Sequence, residues 1–187
     1  DVYKRQAATH AQTVNDALAA RLVARGVRPD HVSVVRNSPS LARFDPARHP
    51  RRAFAQDGVI RLVYAGAVTP TYELDVVVEA IARLRETRPD LAISLDVFGR
   101  GDSEEALQGL VDARGLTAAV RFHGRIPLED VPAAVAARDI GLAPTRRDPF
   151  TDISLSTKIF EYGAMGKPAI CSRLPMVEQT FPAGTVS

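Results

Sequence analysis

Val59-Ile-Arg-Leu-Val-Tyr-Ala65, closed by Gly66, decides the fold. A run of this length, rich in β-branched and aromatic residues and ended by a glycine, reads as a buried strand. Leu74 to about Arg88 follows, with Leu74, Val77, Val78, Ile81 and Leu84 on one stripe of a helix. Leu91-Ala-Ile-Ser-Leu-Asp-Val-Phe98 is the next strand. A helical crossover between two strands makes them parallel. The alternation continues with a helix over Asp102–Ala113, where Asp102 as N-cap and Glu105 at N3 suggest a capping box. Val120–His123 is a strand, about Leu128–Arg138 a helix and Asp139–Ala143 a strand. A helix over about Ser156–Met165 and a strand over Pro168–Ser172 complete the pattern. Five strands alternating with helices place the chain in the α/β class, as a Rossmann-like parallel sheet flanked by helices. Ligands of such sheets bind beyond the carboxyl ends of the strands.

Upstream, residues 11–25 carry Val14, Ala17, Leu18, Arg21 and Leu22 at helical spacing, with Gly26 placed to end the helix. His31-Val-Ser-Val-Val-Arg36 reads as a short strand. Residues 37–58 lack periodicity and are rich in Pro, Arg, Asp and Ser, too long for an ordinary connection, so they read as an interdomain linker. The basic cluster Arg48, Arg51 and Arg52 is expected on its solvated surface. Residues 1–6, Asp-Val-Tyr-Lys-Arg-Gln, resemble a translated sequencing adapter and are set aside from fold reasoning. Phe181–Ser187 stops in loop-like sequence, so the chain reads as truncated at both ends. The expected organisation is an artefact at 1–6, the tail of a preceding domain at 7–36, the linker at 37–58 and an incomplete Rossmann-like domain at 59–187.

The 187 residues carry 24 Lys and Arg against 22 Asp and Glu, a formal charge of +2 that argues against a nucleic-acid binder. No apolar run approaches the roughly 18 residues of a membrane span. Cys171 is the single cysteine, which excludes an internal disulfide and gives no zinc-ligand set; its strand pattern reads as a core thiol. His123, at a strand end, reads as structural.

Gly99-Arg-Gly101 follows a strand and opens a helix, the context of a dinucleotide fingerprint, but the third glycine would fall at Glu104. Gly99 and Gly101 therefore read as a tight turn beside the cleft. Gly163-Ala-Met-Gly166-Lys167 has the wrong spacing for a phosphate loop, and Gly166 reads as the end of a helix.

Ser154-Leu-Ser-Thr-Lys-Ile-Phe-Glu-Tyr162 is the segment that carries chemistry. On a helix, Leu155, Ile159 and Tyr162 share one face, with Phe160 at its edge; Ser154, Lys158, Glu161 and Met165 share another. The helix start offers free N–H groups to an anion, Lys158 adds a point charge, and Glu161 is an acceptor able to grip two hydroxyls. The axial rise from Ser156 to Glu161 is about 7–8 Å, near the span from a diphosphate to ribose hydroxyls. An exposed Lys–Glu pair accounts for the same pattern, and spacing alone leaves both readings open.

The segment Ser156–Pro168, Ser-Thr-Lys-Ile-Phe-Glu-Tyr-Gly-Ala-Met-Gly-Lys-Pro, closely resembles the donor-site signature of retaining glycosyltransferases of family 4 (glycosyltransferase group 1). Val63–Gly66, Val97–Gly101, Phe122–Gly124 and Ala137–Pro144 fit in order, and Ala19–Asn37 resembles the family's last helix and strand before its linker. The resemblance implies the C-terminal half of a two-domain GT-B fold. It also implies transfer of a sugar from a nucleotide-sugar donor to an unknown acceptor, with retention of configuration and without a metal or other cofactor. Glu161 would hold the donor ribose; Gly66, Ser156, Thr157 and Lys158 would surround the diphosphate; Gly99, Gly101 and Asp152 would border the cleft. The resemblance implies a cytoplasmic protein, with peripheral association at the inner face of the membrane through the preceding domain. A nucleotide-sugar-binding module without transfer and a GT-B nucleotide-sugar epimerase are the alternatives. The sequence departs from the family pattern at three places: Ile153 stands where a first glutamate is common, beside Asp152; Ala67 replaces an arginine; and Tyr72 replaces a diphosphate-binding lysine. Lys158 would then carry more of the phosphate charge.

Overall fold

The computed structural model describes residues 8–50 and 52–181. The proposed adapter at 1–6 and the end of the chain after Phe181 lie outside them, as does Arg51.

Five strands form one parallel sheet: β3 (Val59–Ala65), β4 (Ala92–Phe98), β5 (Val120–Gly124), β6 (Ile140–Ala143) and β7 (Ala169–Cys171), in spatial order β5-β4-β3-β6-β7. Two earlier strands, β1 (Ala11–Thr13) and β2 (Val32–Val34), pair separately in parallel. Both neighbours of β3 are parallel to it and the chain winds away in opposite directions from β3, so the switch point lies between β3 and β6. The expected α/β architecture, a parallel sheet flanked by helices, is present.

Alternation along the strands divides the core in two. Leu62 and Tyr64 point with Leu95 and Val97 into one layer, completed by Val78 and Ile81 of α2 (Leu74–Thr87) and by Leu107 and Val111 of α3 (Glu104–Ala113). Val63 and Phe98 point into the other, with Ala134 and Val135 of α4 (Val131–Ala136), Ile159 and Tyr162 of α5 (Thr157–Ala164) and Val177 of α6 (Pro175–Thr180). Helix α5 lies close on the sheet because Gly141 of β6 has no side chain: a Cβ there would overlap the Tyr162 ring, 2.6 Å from Cδ1. The Tyr162 hydroxyl donates to the Leu142 carbonyl at 3.1 Å, so this buried phenol is satisfied.

Several expectations need correction. The first helix, α1, is shorter than 11–25: it spans Asp16–Val23, capped by Asn15, and residues 11–13 form β1 instead. The Asn15 side chain accepts from the Leu18 N–H and donates to the Ile153 carbonyl, both at 2.8 Å, so cap formation competes successfully with helical spacing. Helix α3 starts after Ser103, whose side chain makes no cap bond, so the Asp102–Glu105 box does not form. Arg52 is not a solvated linker arginine. It pairs with Asp57 at 2.8 Å and its Nε lies 3.9 Å from the buried Asp139. Phe44, from the same aperiodic stretch, is 2% exposed within the second core layer. Helix α6, in the stretch before Phe181, had no reading from periodicity. At the end of α5 the reading holds: Gly166 has φ +65°, and Lys167 N–H bonds the Tyr162 carbonyl, closing a Schellman motif.

Candidate functional site

The loops after β3 and β4 run side by side beyond the sheet. Gly66 N–H bonds the Phe98 carbonyl at 2.8 Å, and Val68 N–H bonds that of Arg100 at 3.1 Å. Such proximity excludes side chains. A Cβ on Gly99, at φ +145°, would overlap the Gly66 carbonyl, and one on Gly101 would overlap the Val68 carbonyl. The tight turn read at Gly99 and Gly101 is therefore a junction between two strand ends. Of the two, Gly99 lines the cleft and Gly101 is packed away from it.

That cleft, about 390 Å³, is bounded by Gly66, Gly99, Arg100, Arg125, Lys158 and Glu161. Ile126, Leu128 and Val131 supply an apolar wall toward α4. Thr157 and Lys158 also border a second cleft of about 200 Å³, with Ser154, Ser156, Thr145 and Tyr72. The first turn of α5 thus stands between two openings at the carboxyl ends of the strands. The Ser156 side chain does not cap the helix. The N–H groups of the first turn have no partner further back in the helix and carry its partial positive charge.

Lys158 and Glu161 face the same cleft, one turn apart. An exposed Lys–Glu pair, which spacing left open, does not describe them, since both are part-buried. Burial lowers the Lys158 pKa, against a smaller opposing pull from Glu161. It raises the Glu161 pKa against the opposing influence of Lys158 and of Arg43. Met165, expected on this polar face, is 4% exposed in the core: it is the C-cap, where the chain leaves the helix and packs into the second core layer. Gly66 leaves room for Lys158: a Cβ would overlap the lysine Cε and lie 2.8 Å from Nζ. The lysine Nζ sits 4.1 Å from the centre of the Tyr72 ring and 5.3 Å from that of Tyr64. Asp152 does not join the cleft. Its carboxylate is paired with Arg147 at 3.0 Å.

Beneath the cleft, Asp96 of β4 is 6% exposed and accepts from His123 at 2.5 Å and from Arg138 at 3.0 Å. Burial alone would raise its pKa, but these two partners outweigh it and hold the carboxyl below the usual range. His123 stacks on Phe98 at 4.4 Å, which supports the structural reading of this histidine. Cys171 is half-buried, packed against the second core layer at the edge of the smaller cleft, and burial pushes its thiol pKa up. Among the described residues no group of three or more His, Cys, Asp or Glu is placed to hold a metal ion, and no helix is long and apolar enough to cross a membrane.

Sequence reasoning missed Arg100 and Arg125 as cleft residues. Arg100 stands between the two glycines of the Gly-Arg-Gly turn, a pattern that signals backbone conformation and not a cleft side chain.

Residues 60–184 match the family model for glycosyl transferases group 1. The chain belongs to this family. Among curated relatives it is 28% identical over 151 residues to the D-inositol 3-phosphate glycosyltransferase of Arthrobacter sp. (strain FB24), covering 78% of this chain and 34% of that protein. It is also 28% identical over 175 residues to the GDP-mannose-dependent alpha-(1-6)-phosphatidylinositol monomannoside mannosyltransferase of Mycolicibacterium smegmatis, covering 85% and 45%. The chain therefore spans between a third and a half of the length of these relatives. Among solved structures, Anabaena HepE in complex with UDP-glucose superposes with a TM-score of 0.73 at 16% identity, over 96% of this chain and 50% of that one. This likeness supports the fold, a parallel sheet flanked by helices.

Proposed function

We propose that this chain is the donor-binding part of a longer glycosyltransferase that moves a sugar from a nucleotide-sugar donor to an acceptor. On this reading residues 59–187 form the donor domain, 37–58 the linker, and 7–36 the tail of the acceptor domain. The observation that carries the proposal is the convergence of Lys158, Glu161 and the first turn of α5 on one cleft at the carboxyl ends of the strands.

Glu161 would accept from the ribose hydroxyls, and Lys158 with the helix start would face the diphosphate. Transfer breaks the bond between the anomeric carbon and the diphosphate oxygen and joins that carbon to an acceptor hydroxyl, whose proton passes to the departing diphosphate oxygen on the same face. Negative charge grows on the departing oxygen, where a pre-placed ammonium and N–H groups stabilise it most. Such stabilisation needs no metal, and departure on the face from which the acceptor attacks gives retention. The matched relatives named above are transferases, which favours transfer over epimerisation or binding alone. On this reading the protein works in the cytoplasm, at the inner face of the membrane where its acceptor is lipid-linked.

The test joins this chain to its acceptor-binding portion and supplies UDP-glucose or GDP-mannose with inositol phosphate and phosphatidylinositol mannoside acceptors. A glycoside with the donor's anomeric configuration by NMR, formed equally in excess EDTA, is the expected result. Donor epimerised without an acceptor, or an inverted product, would overturn the reading.

A further inference from the structure

Lys158 has an unusual seat. Its ammonium lies 4.1 Å from the Tyr72 ring centre and 5.3 Å from that of Tyr64, and the two rings are themselves 5.9 Å apart, tilted by 58°. Aromatic faces attract a cation without neutralising it and leave its N–H donors free. A carboxylate in the same place would hold the lysine equally well but cancel the charge that an anion needs.

The loop bearing Tyr72 is fastened at several points. The Tyr64 hydroxyl donates to the Ala67 carbonyl at 2.6 Å, Tyr72 N–H bonds the Thr69 carbonyl at 3.0 Å, and Arg146 N–H bonds that of Thr71 at 2.8 Å. The last bond ties the loop after β3 to the loop after β6 across the switch point. Tyr72 also borders the smaller cleft beside Ser156 and Thr157, so its ring stands at the helix start that Lys158 serves.

We propose that Tyr72 is a positioning residue: its ring face holds the Lys158 ammonium, still charged, over Gly66 and aimed at the diphosphate of a bound nucleotide. The proposal rests on the donor-site reading above. Tyr72 itself touches no phosphate. It restrains a side chain with four rotatable bonds that would otherwise sweep the cleft.

Two measurements on this chain test it. The first needs no nucleotide. The sequence has three lysines, Lys4, Lys158 and Lys167, so reductive methylation with ¹³C-formaldehyde gives few dimethyl-lysine signals. One signal should be shifted upfield by the ring currents, vanish in Lys158→Met, keep its shift in Tyr72→Phe and lose most of it in Tyr72→Leu. An unshifted Lys158 signal in the unsubstituted chain, or one indifferent to Tyr72→Leu, overturns the proposal. The second is calorimetric titration with UDP and GDP. Tyr72→Leu should bind the better diphosphate roughly tenfold more weakly, the scale of a partly desolvated cation–π contact. Tyr72→Phe should stay within about twofold, since it keeps the aromatic face. Equal losses in the Phe and Leu variants would assign the effect to the hydroxyl and refute the proposal. If the unsubstituted chain binds neither nucleotide, or Lys158→Met binds as tightly as it does, the donor-site reading fails instead; the lysine signal then shows whether Tyr72 seats Lys158 at all.

Discussion

Gly66→Ala separates the geometry of the site from the stability of the fold. The added methyl would overlap Cε of Lys158 and lie 2.8 Å from Nζ. Both atoms belong to the far end of a flexible side chain, so the lysine can swing away, while the φ of +159° adds about 1 kcal/mol of backbone strain to an alanine at this position, close to the extended range. Beyond that strain, the expected loss is in binding. Removing a charged hydrogen-bond donor from the diphosphate costs about 1.5–3 kcal/mol, or roughly 10- to 150-fold in affinity. Gly99→Ala is the contrasting case, because its methyl would overlap the Gly66 carbonyl oxygen, a backbone atom of the residue whose N–H is bonded to the Phe98 carbonyl. With a φ of +145° added to that clash, it should cost more than about 3 kcal/mol of stability. Urea unfolding and calorimetric titration with UDP and GDP on both variants measure the two effects. Gly66→Ala should lose only about 1 kcal/mol in unfolding, from its positive φ, and bind weakly, whereas Gly99→Ala should fold poorly. Unimpaired binding by Gly66→Ala would refute the claim that Lys158 lies where a nucleotide needs it. Unfolding of Gly66→Ala as severe as that of Gly99→Ala would refute the distinction between side-chain and backbone contacts.

Asp96→Ala leaves Arg138 and His123 without their shared acceptor and should lower stability by about 3 kcal/mol in urea unfolding. The Asp96 carboxyl is held below its unfolded pKa of 3.8, so its contribution is present above that value and is lost as pH falls through the lower folded value. Acid unfolding followed by circular dichroism should therefore begin at a higher pH in a chain already weakened by His123→Ala. Asn15→Ala removes both a helix cap and a buried bond to the Ile153 carbonyl, and should cost about 2 kcal/mol, read as a lower urea midpoint. Nucleotide affinity should rise with pH through the raised Glu161 pKa, as its carboxylate forms. It should fall again on the alkaline side sooner than an ordinary lysine would dictate, as Lys158 loses its proton; titrations across pH check both limbs.

The sheet was legible because it is written locally. The apolar run at Val59–Ala65 and the stripe of α2 bury themselves whatever the rest of the chain does, and their observed bounds lie within a residue of those expected. Capping was harder to read. Asn15 and Ser103 set their helix starts through bonds and turns that hydrophobic spacing does not encode, so α1 begins later than its pattern and α3 begins without its box. Helix α6 is six residues long, too short for a period to declare itself. The polar face of α5 was half legible: Lys158 and Glu161 meet in one cleft, while Met165 turns into the core. Tyr72 was visible only as a departure from the family pattern. Its place beside Lys158 depends on two loops meeting across the switch point, a relation between residues 86 apart that no local window contains. Asp152 is one residue from the position the family pattern favours, but its carboxylate pairs with Arg147 and lines neither cleft.

The central claim, that this cleft binds a nucleoside diphosphate through Glu161 and Lys158, is tested most directly by titrating UDP, GDP and ADP onto the folded chain and onto Glu161→Ala. One nucleotide should bind the unsubstituted chain, with affinity about 10- to 150-fold lower in the variant, the cost of losing a charged acceptor. Equal affinity in the two proteins, or no binding of any of the three by the unsubstituted chain, would contradict the account.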